Sequence, residues 1–190
     1  MTNSTDDVDS SLSKLHEWQA AEEFGRLEEA IRPTIGQFPN HRRRRFKPWR
    51  EAWVVSRFAK HTSASAARLL PETKGSPDAQ LRYASRVIDV EVTEVIESGR
   101  EPGNEKPGTF HDPVENWVKR ADDLPGQLEK AIRAKLEKPY ARRVTLLVYL
   151  NIGNPVEREL PRLLEFVRKS VTLYRSHFDD IRILWRDEWD

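Results

Sequence analysis

A mixed α/β fold, a central sheet flanked by helices, is the architecture this sequence predicts, and three features predict it. Helical periodicity dominates residues 12 to 61; two strand-like runs follow at 79–84 and 87–96; a helical stretch then leads into the apolar run "RVTLLVYLNI". At 190 residues the chain is long enough to bury one substantial core. A single domain over 13–190, with its centre at about 49–152, is therefore expected.

Residues 1–12, rich in Ser, Thr and Asp, offer almost nothing to bury and read as a disordered tail. Leu15, Trp18, Ala21, Leu27 and Ile31 recur at three- and four-residue steps, which predicts a helix ended by Pro33. A basic connector, "PNHRRRRFKPWR", leads to a second helix from Trp49 to about His61. "SASAARLL" fits either the end of that helix or a first strand. Ala79–Ala84 and Val87–Ile96 read as neighbouring strands joined at Ser85-Arg86, the second rich in β-branched residues. "ESGREPGNEKPGTFHDP" reads as a long loop. A helix returns over Val114–Tyr140, with a possible break at Pro125. Residues 143–152 have the continuous apolar character of a strand buried on both faces. Leu160, Leu163, Leu164, Val167 and Val171 mark another helix, and Ile181, Ile183 and Trp185 alternate as a last strand.

Composition narrows the function classes. A third of the residues are charged, yet they nearly cancel to a net charge of +1. No apolar run approaches the roughly 20 residues that span a bilayer, so no membrane partner is expected. The N-terminus lacks the basic-then-apolar order of a signal peptide, and a cytoplasmic protein is the expectation. Without cysteine, the chain has no disulfide framework, no cysteine-zinc site and no thiol nucleophile. The five histidines are scattered without ligand spacing, and neither GxGxxG nor a P-loop occurs. Nothing specifies the oligomeric state; a homodimer is compatible with the sequence.

The chemistry gathers at 75–97, "GSPDAQLRYASRVIDVEVTEVIE". Along a strand Asp89, Glu91 and Thr93 share one face, opposite Ile88, Val90 and Val92. Asp78 returns to the same region through a turn. Converging oxygen ligands suit a hard cation such as Mg²⁺, which polarises phosphoryl oxygens and activates water. The alternative is a solvated sheet face whose acids pair with arginines.

Pro77-Asp78 followed by Glu91-Val92-Thr93, thirteen residues from acid to acid, resembles the PD-(D/E)xK nuclease superfamily of restriction-endonuclease-like fold. The family core of helix, strand meander, helix and strand is similar to the order of elements over 49–152. The resemblance implies a nuclease that hydrolyses phosphodiester bonds of DNA or RNA, with Asp78 and Glu91 holding Mg²⁺ or Mn²⁺ beside the Val92 carbonyl. It also implies an assisting acid on the preceding helix, for which Glu51 is best placed and Glu22, Glu23, Glu28 and Glu29 less so. One position departs. Thr93 stands where the family carries its catalytic lysine, and a threonine supplies no positive charge. A catalytically inactive module that binds nucleic acid or a protein partner is the alternative that this departure suggests.

A substitute cation is sought on the next helix. The apolar stripe Leu124, Leu128, Ala131 and Ile132 continues to Lys135, which either reaches the acidic face or lays its stem on the core with its head in water. Such migration of the lysine to the following helix is known in the superfamily. In "HRRRRFKPWR", Arg42, Arg43, Arg44, Arg45 and Lys47 form a cluster suited to phosphate neutralisation, with Phe46 and Trp49 able to stack on bases. The alternative is a solvated connector.

Overall fold

A reversal at Leu15–Ala20 divides the N-terminal helical pattern into two helices, α1 (Thr5–Lys14) and α2 (Ala21–Gly36). The computed structural model of the chain describes residues 5–36, 46–96, 114–152, 157–185 and 188–189. The expected tail is thus helical from Thr5, because Val8 and Leu12 have somewhere to be buried. Between the helices runs a two-residue strand, β1 (Gln19–Ala20). Leu69 N–H donates to the Leu15 carbonyl at 2.7 Å, a long-range bond that helical periodicity cannot anticipate. Pro33 does not end α2, which continues to Gly36.

The next helix, α3 (Lys47–His61), carries Pro48 in its first turn, where a missing N–H costs no helical bond. It buries Ala52, Val54, Val55, Phe58 and Ala59. At its C-terminus Ser63 adopts φ 54°, while Ser63 N–H bonds to Lys60 O and Ala64 N–H to Ala59 O, the paired bonds of a Schellman stop. That stop resolves the ambiguous "SASAARLL": the helix ends and β2 (Ala66–Leu69) begins. β3 (Ala79–Arg82) and β4 (Val87–Ile96) follow as antiparallel neighbours. Leu69, Ala79 and Val90 stand in one register row, Ala67 and Leu81 in another, and all are buried.

The chain divides into two compact units, Met1–Val92 and Thr93–Asp190, the boundary falling within β4. In the second unit α4 (Val114–Leu136) runs uninterrupted through Pro125. β5 (Thr145–Asn151) leads through α5 (Leu160–Tyr174) to β6 (Asp180–Trp185), which pairs with β5 in parallel; β7 (Glu188–Trp189) then adds antiparallel to β6. Leu128, Ile132, Leu146, Val148, Leu163, Val167 and Ile183 belong to this unit's apolar core. The protein is therefore α/β, its seven described strands mixed in sense and accompanied by helices. No helix among the described residues is long and apolar enough to cross a membrane.

Candidate active site

The turn that precedes β3 fixes Asp78 through its own backbone. Leu70 N–H donates to Asp78 O at 2.9 Å, and Asp78 N–H donates to Val90 O at 3.0 Å. Its side chain then reaches β4, where Val92 N–H donates to Asp78 Oδ2 at 2.8 Å. One carboxylate oxygen is thereby committed to the residue after Glu91, and the other faces α3.

Two residues of α3 meet that second oxygen. Lys47 and Glu51 are four residues apart and share a helix face, with Lys47 Nζ 2.9 Å from Glu51 Oε1. The same ammonium lies 3.5 Å from Asp78 Oδ1 and 3.6 Å from Glu72 Oε1. Lysine in a first helical turn opposes the helix dipole, and no acid of that turn offsets it. The carboxylates supply what the dipole denies.

Lys47 is shared among three carboxylates, of which Asp78 is buried and Glu51 only 13 % exposed. Burial pushes Glu51 up to about 7, and the Asp78 charge and a hydrogen bond with Asp78 push the same way against Lys47. Burial draws Lys47 down, but the bond to Glu51 and the charges of Asp78, Glu51 and Glu72 outweigh it and hold the ammonium above its ordinary value. At neutral pH a proton is easily shared in this cluster, and a lysine stays charged beside it.

The other expected residues fall as follows. Glu91 is fully buried on β4, adjoining the Val92 that Asp78 caps. Thr93 is half-buried two residues on. Asp89 is buried too, and Gln80 Nε2 donates to its Oδ1 at 2.8 Å. Lys135 lies in the last turn of α4, in the second unit, half-buried. Glu22 and Glu23 are exposed and paired with Arg26, and Glu28 is buried against Arg32. Arg42, Arg43, Arg44 and Arg45 lie outside the described residues. Lys47, grouped by sequence with those arginines, is instead the lysine among the acids, together with Glu72. The Lys47–Glu51 spacing was the signal that could have found it.

Among the described residues no three His, Asp or Glu side chains gather into a ready-made ion cage. The donor set of Asp78 and Glu51 is nevertheless all oxygen and short of positive charge. It fits an ion such as Mg²⁺, which takes one or two carboxylates and completes its shell with water and substrate phosphate. It does not fit a soft metal, since the chain has no cysteine. No family model matches the chain, and neither a curated protein nor a solved structure is similar to it.

Proposed function

We propose that the Asp78–Glu51–Lys47 cluster is the active site of a metal-dependent nuclease, hydrolysing phosphodiester bonds of DNA or RNA. The observation that carries this reading is the Lys47 ammonium, 2.9 Å from Glu51 and 3.5 Å from Asp78. It brings to the acids the positive charge that Thr93 cannot. The order α3, β2, β3, β4, α4, β5 is the one expected for a restriction-endonuclease-like core and supports the reading.

Asp78 and Glu51 would hold Mg²⁺ or Mn²⁺, with Glu91 next to the Val92 backbone as a further acid. Bound there, the ion polarises the phosphoryl oxygens and lowers the pKa of a water nucleophile. The chain's own residues do the rest. Val92 N–H fixes the rotamer of Asp78, so one oxygen stays aimed at the cluster. Glu51, buried beside Asp78 and 2.9 Å from Lys47, would offer its carboxylate to the ion, and the ion's charge would favour its ionised form. Lys47 remains a cation and neutralises charge on the phosphate as it becomes pentavalent.

A second reading is an inactive module of the same fold that binds nucleic acid or a protein. Lys47 favours it in one respect: its ion pairs already occupy the oxygens a metal would use. Assays on single- and double-stranded DNA and RNA with Mg²⁺ or Mn²⁺ separate the two. The nuclease reading expects cleavage by the wild-type protein and a loss of about 100-fold or more in Asp78→Asn and in Lys47→Gln. Folded wild-type protein that cleaves none of these substrates, and whose melting temperature ignores both metals, is the inactive module.

A further inference from the structure

Across the first unit's sheet, Trp18, Arg68, Gln80 and Asp89 stand in one row. Arg68 is opposite Gln80 and Gln80 opposite Asp89, while Trp18 precedes the Gln19–Ala67 pair by one residue and so faces Arg68. The side chains bear the register out. The Arg68 guanidinium lies 4.7 Å from the centre of the Trp18 ring, and its Nε and Nη2 donate to Gln80 Oε1 at 3.0 and 2.7 Å. Gln80 in turn donates to Asp89 Oδ1. Arg82, one row along, places its guanidinium 4.1 Å from the same Trp18 ring.

The row leaves positive charge over. Asp89 accepts from the neutral Gln80 amide. Among the described residues no carboxylate pairs with Arg68 or Arg82. Two guanidinia on one indole repel each other; the ring face and the Gln80 carbonyl soften the repulsion without adding negative charge. Arg82 is exposed and Arg68 and Trp18 half-exposed, so the charge faces solvent. Stacking leaves the N–H edge of Arg82 free to grip two oxygens of a phosphate, while Arg68, whose Nε and Nη2 go to Gln80, adds its charge and its remaining N–H groups. The row also lies two residues along β3 from Asp78 and two along β4 from Glu91, about 7 Å in each strand.

We propose that Trp18, Arg68 and Arg82 form a phosphate-binding site for the backbone of a nucleic-acid strand, holding it beside the acid cluster. The identity of the anion rests on the nuclease reading of that cluster; the charge imbalance does not. Gln80 and Asp89 are positioning residues that orient Arg68.

Binding measured apart from cleavage tests this. Fluorescence anisotropy with labelled single-stranded and duplex oligonucleotides, in chelator and over a salt series, should show Arg82→Gln binding about ten-fold more weakly. Its salt slope should be smaller by about one. Trp18→Leu should weaken binding by releasing both guanidinia. Arg26→Gln removes the same formal charge from an arginine paired with Glu22 and Glu23 and should bind as wild type. Arg82 is exposed, so its variant should stay folded, which a thermal melt checks. Wild-type affinity and slope in Arg82→Gln, or no binding of either oligonucleotide by the wild type, overturns the proposal even where Asp78→Asn abolishes cleavage. Weakened binding in a protein that cleaves nothing keeps this site and removes the nuclease.

Discussion

Glu28 and Glu51 sit on neighbouring, packed helices, and both are glutamates kept from water, yet their surroundings treat their charge in opposite ways. Glu28, 1 % exposed, takes two oxygens' worth of hydrogen bonds from Arg32, at 2.9 to 3.3 Å, and feels the Arg57 charge as well. Its ionisable neighbours there are cations, and they act against the burial that raises it. Among the described residues Glu51 has one cation, Lys47, shared with Glu72 and with the very Asp78 that repels it. Glu28 is an acid held for structure. Glu51 is an acid held with its charge incompletely answered, the condition found where protons or cations are exchanged.

The contrast is broken most directly by removing each charge at nearly constant shape. Glu51→Gln should cut metal-dependent cleavage by about 100-fold while leaving the fold intact at neutral pH, since the substitution relieves a repulsion with Asp78. Glu28→Gln should cleave within about two-fold of wild type, because its partners are structural. Equal loss of activity in both variants, with both folded, would mean that charge imbalance does not mark the active acid.

Acidity gives the next effect. Glu51 rests near 7 in the folded chain against an ordinary 4.5. A raised folded-state value means that the folded protein binds the proton more tightly than the unfolded one. The stabilisation is therefore complete below about 4.5 and is lost as pH rises through about 7. With Glu51 largely shielded from solvent, that loss is up to about 3 kcal/mol. Urea unfolding in chelator, from pH 4.5 to 8, should show the decline in the wild type and a flatter profile in Glu51→Gln. The same slope in both would remove Glu51 as its source.

How far the sequence disclosed this site follows from which contacts are local. The β-branched run 87–96 announces itself by period, and the structure has it, whereas the turn read at Pro77-Asp78 falls at Lys74-Gly75 and Asp78 already bonds to Leu70 and Val90. Glu51 could be placed on a helix for the same reason. The partner of those acids could not, because Lys47 belongs by sequence to "RRRRFK" and only the folded chain brings the Asp78 carboxylate to it. Periodicity likewise carried one helix through Leu15 and Trp18, where Leu15 O in fact accepts from Leu69 N–H and Trp18 lies under two arginines. Pro33 reads as a stop and Pro125 as a break within its helix, though each helix tolerates the bond it loses. The Trp18–Arg68–Gln80–Asp89 row was invisible for a related reason: its members come from three strands and the residue before a fourth, and register is a long-range property.

The smallest effect sharpens the structural side of the comparison. Glu28→Gln removes a charge whose burial costs more than Arg32 and Arg57 return, so it should not lower stability at pH 7 and should raise it slightly. Arg32 is 43 % exposed, so water recovers part of what its guanidinium loses. Burial raises Glu28 as well, above its ordinary value. Acidification therefore protonates the wild-type side chain and makes it resemble the glutamine, so the gap between the two proteins should close as pH falls. Denaturant midpoints for both at pH 7 and pH 4.5 read this out. A gap that holds constant over that range would place the difference in the packing of α2 against α3 and not in the Glu28 charge. The two glutamates would then differ only in shape, and the Glu51 profile alone would remain to distinguish an acid that works from one that holds.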